Sequence, residues 1–264
     1  MNIVPKKKSD PFGLFYPVIP HNGVANDNVS QLRHIGQPLF LSGTGNEIEL
    51  CAGDIASAEI SQNDGKSFSG MVLPCRLENL GDPEFCQDHG IRYPYLGGSM
   101  AKGISSVKMA QEFGRAGMLG FFGAAGQSLA DVEVAIASLK QSSFPFGFNL
   151  IHSPTEPELE KALVELYLHH EIRLIEASAF LSLTLPIIRY RTQGIYRNNE
   201  GEVITPNRVI AKISREEVAA RFFAPPPEKY LRQLVESGDL TVAQAEMAAA
   251  IPVAQDATVE ADSG

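Results

Sequence analysis

The sequence predicts an α/β protein built on a parallel sheet, and two features carry this prediction. Residues 93–126 follow the order strand, glycine turn, helix, strand, glycine turn, which is typical of one parallel βαβ unit. From about residue 91 onward, short apolar runs alternate with helices that begin at capping residues. Residues 1–80 carry only short β-like pieces, so we expect a β-rich N-terminal region there and an α/β domain over residues 81–264.

The βαβ unit has recognisable starts and stops. Its first strand is an apolar run at residues 93–96 that ends in two glycines. Ser105 or Ser106 can cap the helix that follows. The second strand, at residues 118–122, is closed by the small residues 123–126. Both strands of the unit therefore end in small residues.

Small residues at the ends of two neighbouring strands leave room for a flat ligand to lie against the backbone, with amide groups free to donate hydrogen bonds. A flavin ring suits such a site. The dinucleotide fingerprint G-x-G-x-x-G is not satisfied by GGSMAKG, since the spacing differs. The alternative interpretation is that these glycines only make tight turns.

The remaining elements follow the same rhythm. In the N-terminal region we predict strands at residues 38–42, 47–52 and 68–73, and after the βαβ unit we predict strands at 144–151, 172–177, 209–213 and 257–261. The predicted helix caps are Ser128 with Asp131, Thr155 with Glu158, Ser214 with Glu217, and Thr241 with Gln244. A helical segment at about residues 215–252 separates the fifth and sixth strands of the α/β domain.

The number of strands limits the architecture. A TIM-type (β/α)₈ barrel requires eight strands and about 250 residues. The α/β domain offers about six βα units, so we expect an incomplete barrel.

Composition narrows the function classes. The chain has 22 basic and 31 acidic residues and a net charge of −9, which disfavours nucleic acid and anionic membrane as partners. No apolar run approaches the length that spans a bilayer, and the N-terminal stretch lacks a signal cleavage site. The three cysteines show neither CxxC nor zinc-finger spacing, which fits a reducing cytoplasm and predicts no metal site.

Several long motifs resemble one family. They are GGSMAKGIS, GRAGMLGFFGAAG, PFGFNLIHSP, PNRVIAKISREEVAARFFAPPPEKYLRQL and TVEADSG. Together they resemble the PfaD family of FMN-dependent enoyl reductases, which act in trans in polyunsaturated fatty acid and polyketide synthases and are related to nitronate monooxygenase (2-nitropropane dioxygenase) barrels. The resemblance implies a TIM-type FMN barrel with the flavin at the carboxyl ends of its strands. It also matches the helical segment to an insertion of that family.

The resemblance implies roles for particular residues. Asn149 matches an asparagine that hydrogen-bonds the flavin, although it could simply tie down a loop. Lys212 could stabilise the electron-rich side of reduced flavin, although a surface lysine is equally compatible. The other implied cofactor-binding residues are Gly98, Ser99, Met100, Ala101, Gly123, Ala124, Glu260, Ala261, Asp262, Ser263 and Gly264.

The sequence also departs from the family pattern. That pattern continues past ADSG into a glycine and the histidine to which the acid/base role is usually given, so we expect this histidine to lie beyond Gly264. We therefore expect the chain to be truncated before the catalytic histidine, and no catalytic residue is identified in it. His152 is the candidate that remains, but its HSP context favours a structural role beside a helix start.

The leading hypothesis is an oxidoreductase that uses NAD(P)H and FMN to reduce enoyl thioesters on acyl carrier protein domains. The alternatives are a nitronate monooxygenase-like flavoenzyme, or an inactive fragment or carrier-protein-binding module. Open strand edges could pair in a homodimer. A local basic excess could dock an acidic carrier protein, or could be an ordinary solvated surface. Its members are Arg189, Arg191, Arg197, Arg208, Lys212, Arg215 and Arg221.

Overall fold

The computed structural model describes residues 28–34, 36–44, 47–52 and 67–259. The chain divides into two compact units, Met1–Pro83 and Glu84–Gly264. The first unit contains helix α1 (Asn28–Gln31) and an antiparallel sheet of β1 (Leu39–Thr44), β2 (Glu47–Ala52) and β3 (Ser67–Val72). The strand order is β2-β1-β3. This confirms the predicted β-rich N-terminal region.

The second unit is built on a six-stranded parallel sheet. Its strands are β4 (Leu96–Gly98), β5 (Leu119–Phe122), β6 (Phe146–Ile151), β7 (Leu174–Ser178), β10 (Arg208–Ile213) and β11 (Asp256–Val259). They lie in the order β11-β10-β7-β6-β5-β4. Strands that follow one another in the sequence of this sheet are also neighbours in space, and each pair is parallel. This is the strand order of a TIM barrel, and the six strands form an open half-barrel. The predicted fold class is confirmed.

Helix α2 (Pro83–His89) precedes the sheet, and further helices connect its strands. These are α3 (Val107–Arg115), α4 (Leu129–Leu139), α5 (Pro157–His169), α6 (Leu185–Thr192), α7 (Glu216–Phe222), α8 (Glu228–Glu236) and α9 (Val242–Ala248). A small hairpin of β8 (Tyr196–Arg197) and β9 (Val203–Ile204) follows α6. Helices α7, α8 and α9 lie between β10 and β11, which confirms the predicted helical insertion.

The alternation of side chains along each strand gives the sheet two different faces. Phe148, Ile175 and Ala211 belong to the large core between the sheet and the connecting helices. A second buried cluster lies on the opposite face and consists of Leu119, Phe121, Leu174 and Ile210, with Leu96 and with Phe85 from α2 packed against it. We call this second face the inner face, because it is the concave side of the half-barrel. Residues that share its register therefore point toward the barrel interior.

The first strand of the sheet begins later than the sequence predicts. The amides of Arg92 and Tyr93 both donate to the carbonyl of Gly117, at 2.8 and 2.9 Å. These two bonds to one carbonyl do not fit the hydrogen-bond pattern of a parallel strand pair, and β4 pairs with β5 only from Leu96 onward. The predicted strand at residues 93–96 is therefore displaced to Leu96–Gly98.

Three of the predicted helix starts are confirmed. The hydroxyls of Ser106, Ser128 and Thr241 accept from the amides of Met109, Asp131 and Gln244, respectively. Two others are wrong. Helix α5 begins at Pro157 after Glu156, and the Thr155 hydroxyl instead contacts that of Ser153 at 3.2 Å. Helix α7 begins after Arg215, whose side chain makes no capping bond, one residue beyond the predicted Ser214.

These starts make a direct stability prediction. We expect Ser128→Ala to lower the free energy of unfolding by about 1 kcal/mol, since it removes the acceptor for the Asp131 amide. Thr155→Ala is the matched control, because its hydroxyl caps no helix. Urea unfolding followed by circular dichroism measures both variants. Equal stability of the two variants would show that the Ser128 cap contributes nothing.

Candidate functional site

The loops that follow β4 and β5 are tied together through their backbones. The Ser99 amide donates to the Phe121 carbonyl at 3.2 Å, and the Gly123 amide donates to the Ser105 carbonyl at 2.9 Å. Further bonds run from the amide of Lys102 to the carbonyl of Ala125 and from the amide of Gly103 to the carbonyl of Gly123. The expectation that this loop pair presents free amides is therefore wrong for these four donors, because they bond within the protein.

Two of the predicted cofactor-binding glycines are required by this close approach. Gly98 has φ +131°, and a Cβ placed there would lie within 3.0 Å of three backbone atoms of Phe121. A Cβ on Gly123 would lie 2.6 Å from the carbonyl carbon of Met100 and still closer to its oxygen. The two glycines thus allow the backbones of the two loops to pack closely against each other.

The residues that directly follow these two glycines contribute one hydroxyl to the site. Ser99 has a left-handed conformation with φ 58°, and its Oγ is buried without a hydrogen-bond partner among the described residues. Met100 and Ala101 are exposed, whereas Ala124 is buried. The loop therefore combines small residues with a buried polar atom that a ligand could engage.

Asn149 supplies a second unsatisfied polar atom. Its side chain is 1% exposed, and its Nδ2 donates to the Glu176 carbonyl at 3.3 Å and to Ser178 Oγ at 2.9 Å. Because the Glu176 carbonyl can only accept, the amide orientation is fixed and Oδ1 must be the other atom. Asn149 Oδ1 is buried and accepts no hydrogen bond from the described residues. It is thus available to a ligand N–H or O–H group.

A buried carboxylate that the sequence motifs did not reveal lies beside Asn149. Asn149 pairs with Glu176, Glu176 with Ile210, and Ile210 with Asp256, so these four residues form one row across the inner face. Glu176 is 4% exposed. The available signal was a charge in the middle of the otherwise uncharged strand LIEAS, where burial is expensive unless the charge has partners.

Lys212 lies in the next row toward the carboxyl end of the strands. It pairs with Thr258 of β11 and is half-buried. Since Ile210 two residues earlier belongs to the inner cluster, Lys212 shares the inner face. The other predicted cofactor-binding residues near it, Glu260, Ala261, Asp262, Ser263 and Gly264, lie outside the described residues.

His152 lies on the helix-facing side of the sheet. Its Nδ1 is 2.7 Å from Oε2 of the buried Glu160 on α5, and its ring stacks on Phe180 with centroids 5.2 Å apart. The Thr184 hydroxyl also donates to Glu160. This arrangement links the end of β6 to the starts of α5 and α6. Its geometry fits the structural role that the HSP context favours.

The arginines of the basic stretch do not form one exposed surface. Arg191 is 2% exposed, and it donates to the carbonyls of Pro252 and Asn207 and to the Thr205 hydroxyl. Burial lowers the pKa of Arg191 to about 10, so it stays charged at neutral pH. Arg189 pairs with Asp239 at 2.9 Å. The idea that Arg191 contributes to a carrier-protein docking surface is therefore wrong.

Two kinds of feature are absent from the described part of the chain. No group of three or more His, Cys, Asp or Glu side chains is arranged to hold a metal ion within residues 28–34, 36–44, 47–52 and 67–259. In the same ranges, every helix is too short or too polar to cross a bilayer.

Comparison with known proteins gives a consistent set of relatives. The polyketide biosynthesis protein PksE of Bacillus subtilis is 45% identical over 190 residues, which is 71% of this chain and 25% of PksE. One of the polyunsaturated fatty acid synthase subunits of Thraustochytrium sp. is 40% identical over 246 residues, which is 90% of this chain and 16% of that protein. The chain thus spans a quarter or less of these two relatives. No family model matches.

A solved structure agrees with these relatives. The crystal structure of the enoyl reductase domain of MlnA, from the macrolactin biosynthesis cluster of Bacillus amyloliquefaciens, matches with a TM-score of 0.67 and 44% identity. The match covers 70% of this chain and 43% of that chain. At this identity the likeness extends beyond the fold to the sequence.

Proposed function

Because this chain belongs to the PfaD-like enoyl reductase family, we propose that it binds FMN at the carboxyl edge of its half-barrel and contributes to the reduction of enoyl thioesters. Active sites of barrels of this type lie at that edge. NAD(P)H would be the reductant, and the substrate would be an enoyl group carried by an acyl carrier protein of a fatty acid or polyketide synthase.

The observation that carries the proposal is the pair of buried oxygens without partners. Asn149 Oδ1 and Ser99 Oγ lack hydrogen bonds within the described part of the chain. Ser99 directly follows β4, and Asn149 lies two residues before the carboxyl end of β6. Buried polar atoms are nearly always satisfied in native proteins, so each of these two oxygens calls for a partner that the described residues do not supply, and a ligand atom can fill that place. A flavin offers N–H and hydroxyl donors together with a flat ring. These residues therefore fit the cofactor.

Each part of this edge would have a defined task. The tied loops after β4 and β5 would hold a fixed surface against the ring, since their amides already bond to each other. Asn149 would accept a hydrogen bond from the ligand through Oδ1. Lys212, on the inner face, would favour negative charge on the ligand. When bound, the flavin supplies the hydride transfer chemistry, while the protein supplies position and polarity.

A substitution at Asn149 tests the binding part of the proposal. We expect Asn149→Leu to weaken FMN binding about tenfold, because one hydrogen bond to a buried acceptor is lost. Quenching of flavin fluorescence during titration measures the dissociation constant. Asn198→Ala serves as the control, since Asn198 lies in the exposed turn between β8 and β9. An Asn149→Leu variant that is folded and binds FMN with unchanged affinity would remove Asn149 from the site.

An activity assay separates the two flavoenzyme hypotheses. The FMN-loaded chain is mixed with NAD(P)H and an enoyl thioester of an acyl carrier protein, and NAD(P)H oxidation is followed by its absorbance. The proposal predicts oxidation that depends on the enoyl thioester. Oxygen consumption with an alkyl nitronate and no reduction of the thioester would favour a nitronate monooxygenase. No turnover of either substrate would contradict a catalytic role for this chain.

A further inference from the structure

Glu176 occupies the centre of the inner face. Its neighbours in sequence, Ile175 and Ala177, are buried in the large core on the other side of the sheet. Leu174, two residues earlier, belongs to the inner cluster, so the period of two along a strand puts Glu176 on the inner face. In its row it stands directly between Asn149 on β6 and Ile210 on β10. No sequence motif and no resemblance assigned this residue a role.

The surroundings of Glu176 combine burial with a few nearby polar groups. The Thr258 hydroxyl donates to its Oε1 at 3.4 Å. Asp256, at the end of the same row, lies 2.9 Å from the ring of His89. Lys212 stands one row closer to the carboxyl edge. A carboxylate that is 4% exposed thus lies on the same face as the unsatisfied oxygen of Asn149.

We propose that Glu176 lowers the reduction potential of the flavin bound at this edge. The inference rests on the proposed flavin site. An ionised Glu176 carboxylate, 4% exposed, would be weakly screened by water, so it would act on any charge that develops on the ligand. Two-electron reduction adds negative charge to the flavin ring. Glu176 therefore stabilises the oxidised form relative to the reduced form and makes the reduced form a stronger hydride donor.

The electron balance of the step is simple. NAD(P)H gives up two electrons and one proton as hydride, and the enoyl thioester takes up the same hydride at its β-carbon and a proton from an acid at its α-carbon. An ionised carboxylate on the inner face would change the driving force of the two transfers in opposite directions. It opposes reduction by NAD(P)H and favours delivery to the enoyl group. The contribution of Glu176 can therefore be measured from the midpoint potential of the flavin, without an assay of enoyl reduction.

The test compares two buried carboxylates in the FMN-loaded chain. Glu176→Gln replaces the Glu176 carboxyl group by an amide with almost no change of shape. Glu160→Gln is the matched control, because Glu160 is similarly buried but lies on the helix side with His152. The midpoint potential is measured by dithionite titration against a redox dye. We expect the midpoint potential of Glu176→Gln to shift in the positive direction. The shift corresponds to a rise of about tenfold in the ratio of the affinity for reduced flavin to the affinity for oxidised flavin. We expect no shift for Glu160→Gln.

The outcomes distinguish the inference from its premise. A folded Glu176→Gln protein with the wild-type potential would overturn the inference and leave the flavin site intact. Wild-type protein that binds no FMN would overturn the site and the inference together. If Glu176→Gln does not fold, Thr258→Val takes its place, because loss of the hydroxyl donor leaves the carboxylate less neutralised. That variant should shift the potential in the negative direction, and an unchanged potential would again refute the role of Glu176.

Discussion

Replacing Gly98 with alanine is expected to lower the free energy of unfolding by about 3 kcal/mol or more, since the new side chain adds strain and a backbone clash. The φ of +131° disfavours any residue with a Cβ, and this Cβ would lie within 3.0 Å of three backbone atoms of Phe121. The chain cannot relieve this overlap by turning a side chain. Urea unfolding followed by circular dichroism measures the loss.

Gly238→Ala is the matched control for this prediction. Gly238 also has a positive φ, of +80°, but a Cβ there would meet no atom within 4 Å. Only the cost of holding alanine at a positive φ remains, so we expect the free energy of unfolding to fall by about 1 kcal/mol. The difference between the two variants isolates the contact between the loops after β4 and β5. Equal losses would mean that the two loops separate easily and that the edge is not a fixed surface.

Replacing Arg191 with methionine is expected to lower the free energy of unfolding by about 3 kcal/mol, because several buried acceptors lose their donor at once. The guanidinium bonds to Pro252, Thr205 and Asn207, which connects α6 to the segments that precede β10 and β11. Methionine fills much of the same volume, so the loss comes mainly from the hydrogen bonds. Thermal and urea unfolding both report it.

Arg189→Met, two residues earlier on the same helix, is the control. Arg189 is partly exposed, and its pairs with Asp239 and Glu165 lie at the surface. Such pairs contribute less than about 1 kcal/mol. If Arg191→Met cost no more than Arg189→Met, the buried network would not hold these segments together. The same pair of variants would also show how differently two neighbouring arginines of one basic stretch behave.

The sequence predicted the parallel sheet well because its signals are local. Serine caps fix where α3 and α4 begin, and the spacing of Val132, Ala135, Ile136 and Leu139 matches their burial. Local signals give the wrong boundary where another residue sets the start of the element. Pro157 sets the start of α5 in place of Thr155, since proline suits the first turn of a helix. The turn that bonds to Gly117 delays β4 in the same way.

The candidate site was predictable only in part, because it depends on pairing between distant strands. Asn149 was identified through a motif, but the orientation of its amide follows from a carbonyl 27 residues away. Glu176 was missed since only the register of β6, β7 and β10 places it beside Asn149. The charge of Arg191 predicts a solvent-exposed side chain. Its burial follows from acceptors on segments far along the chain.

We propose a flavin site at the carboxyl edge of this half-barrel. The most direct measurement is the visible absorption spectrum of the purified chain after incubation with FMN and removal of free flavin by desalting. We predict a retained flavin spectrum at close to one FMN per chain, with less retention in Asn149→Leu. A colourless wild-type protein, folded by circular dichroism, would contradict the claim, since the two unsatisfied oxygens would then have no flavin to bind.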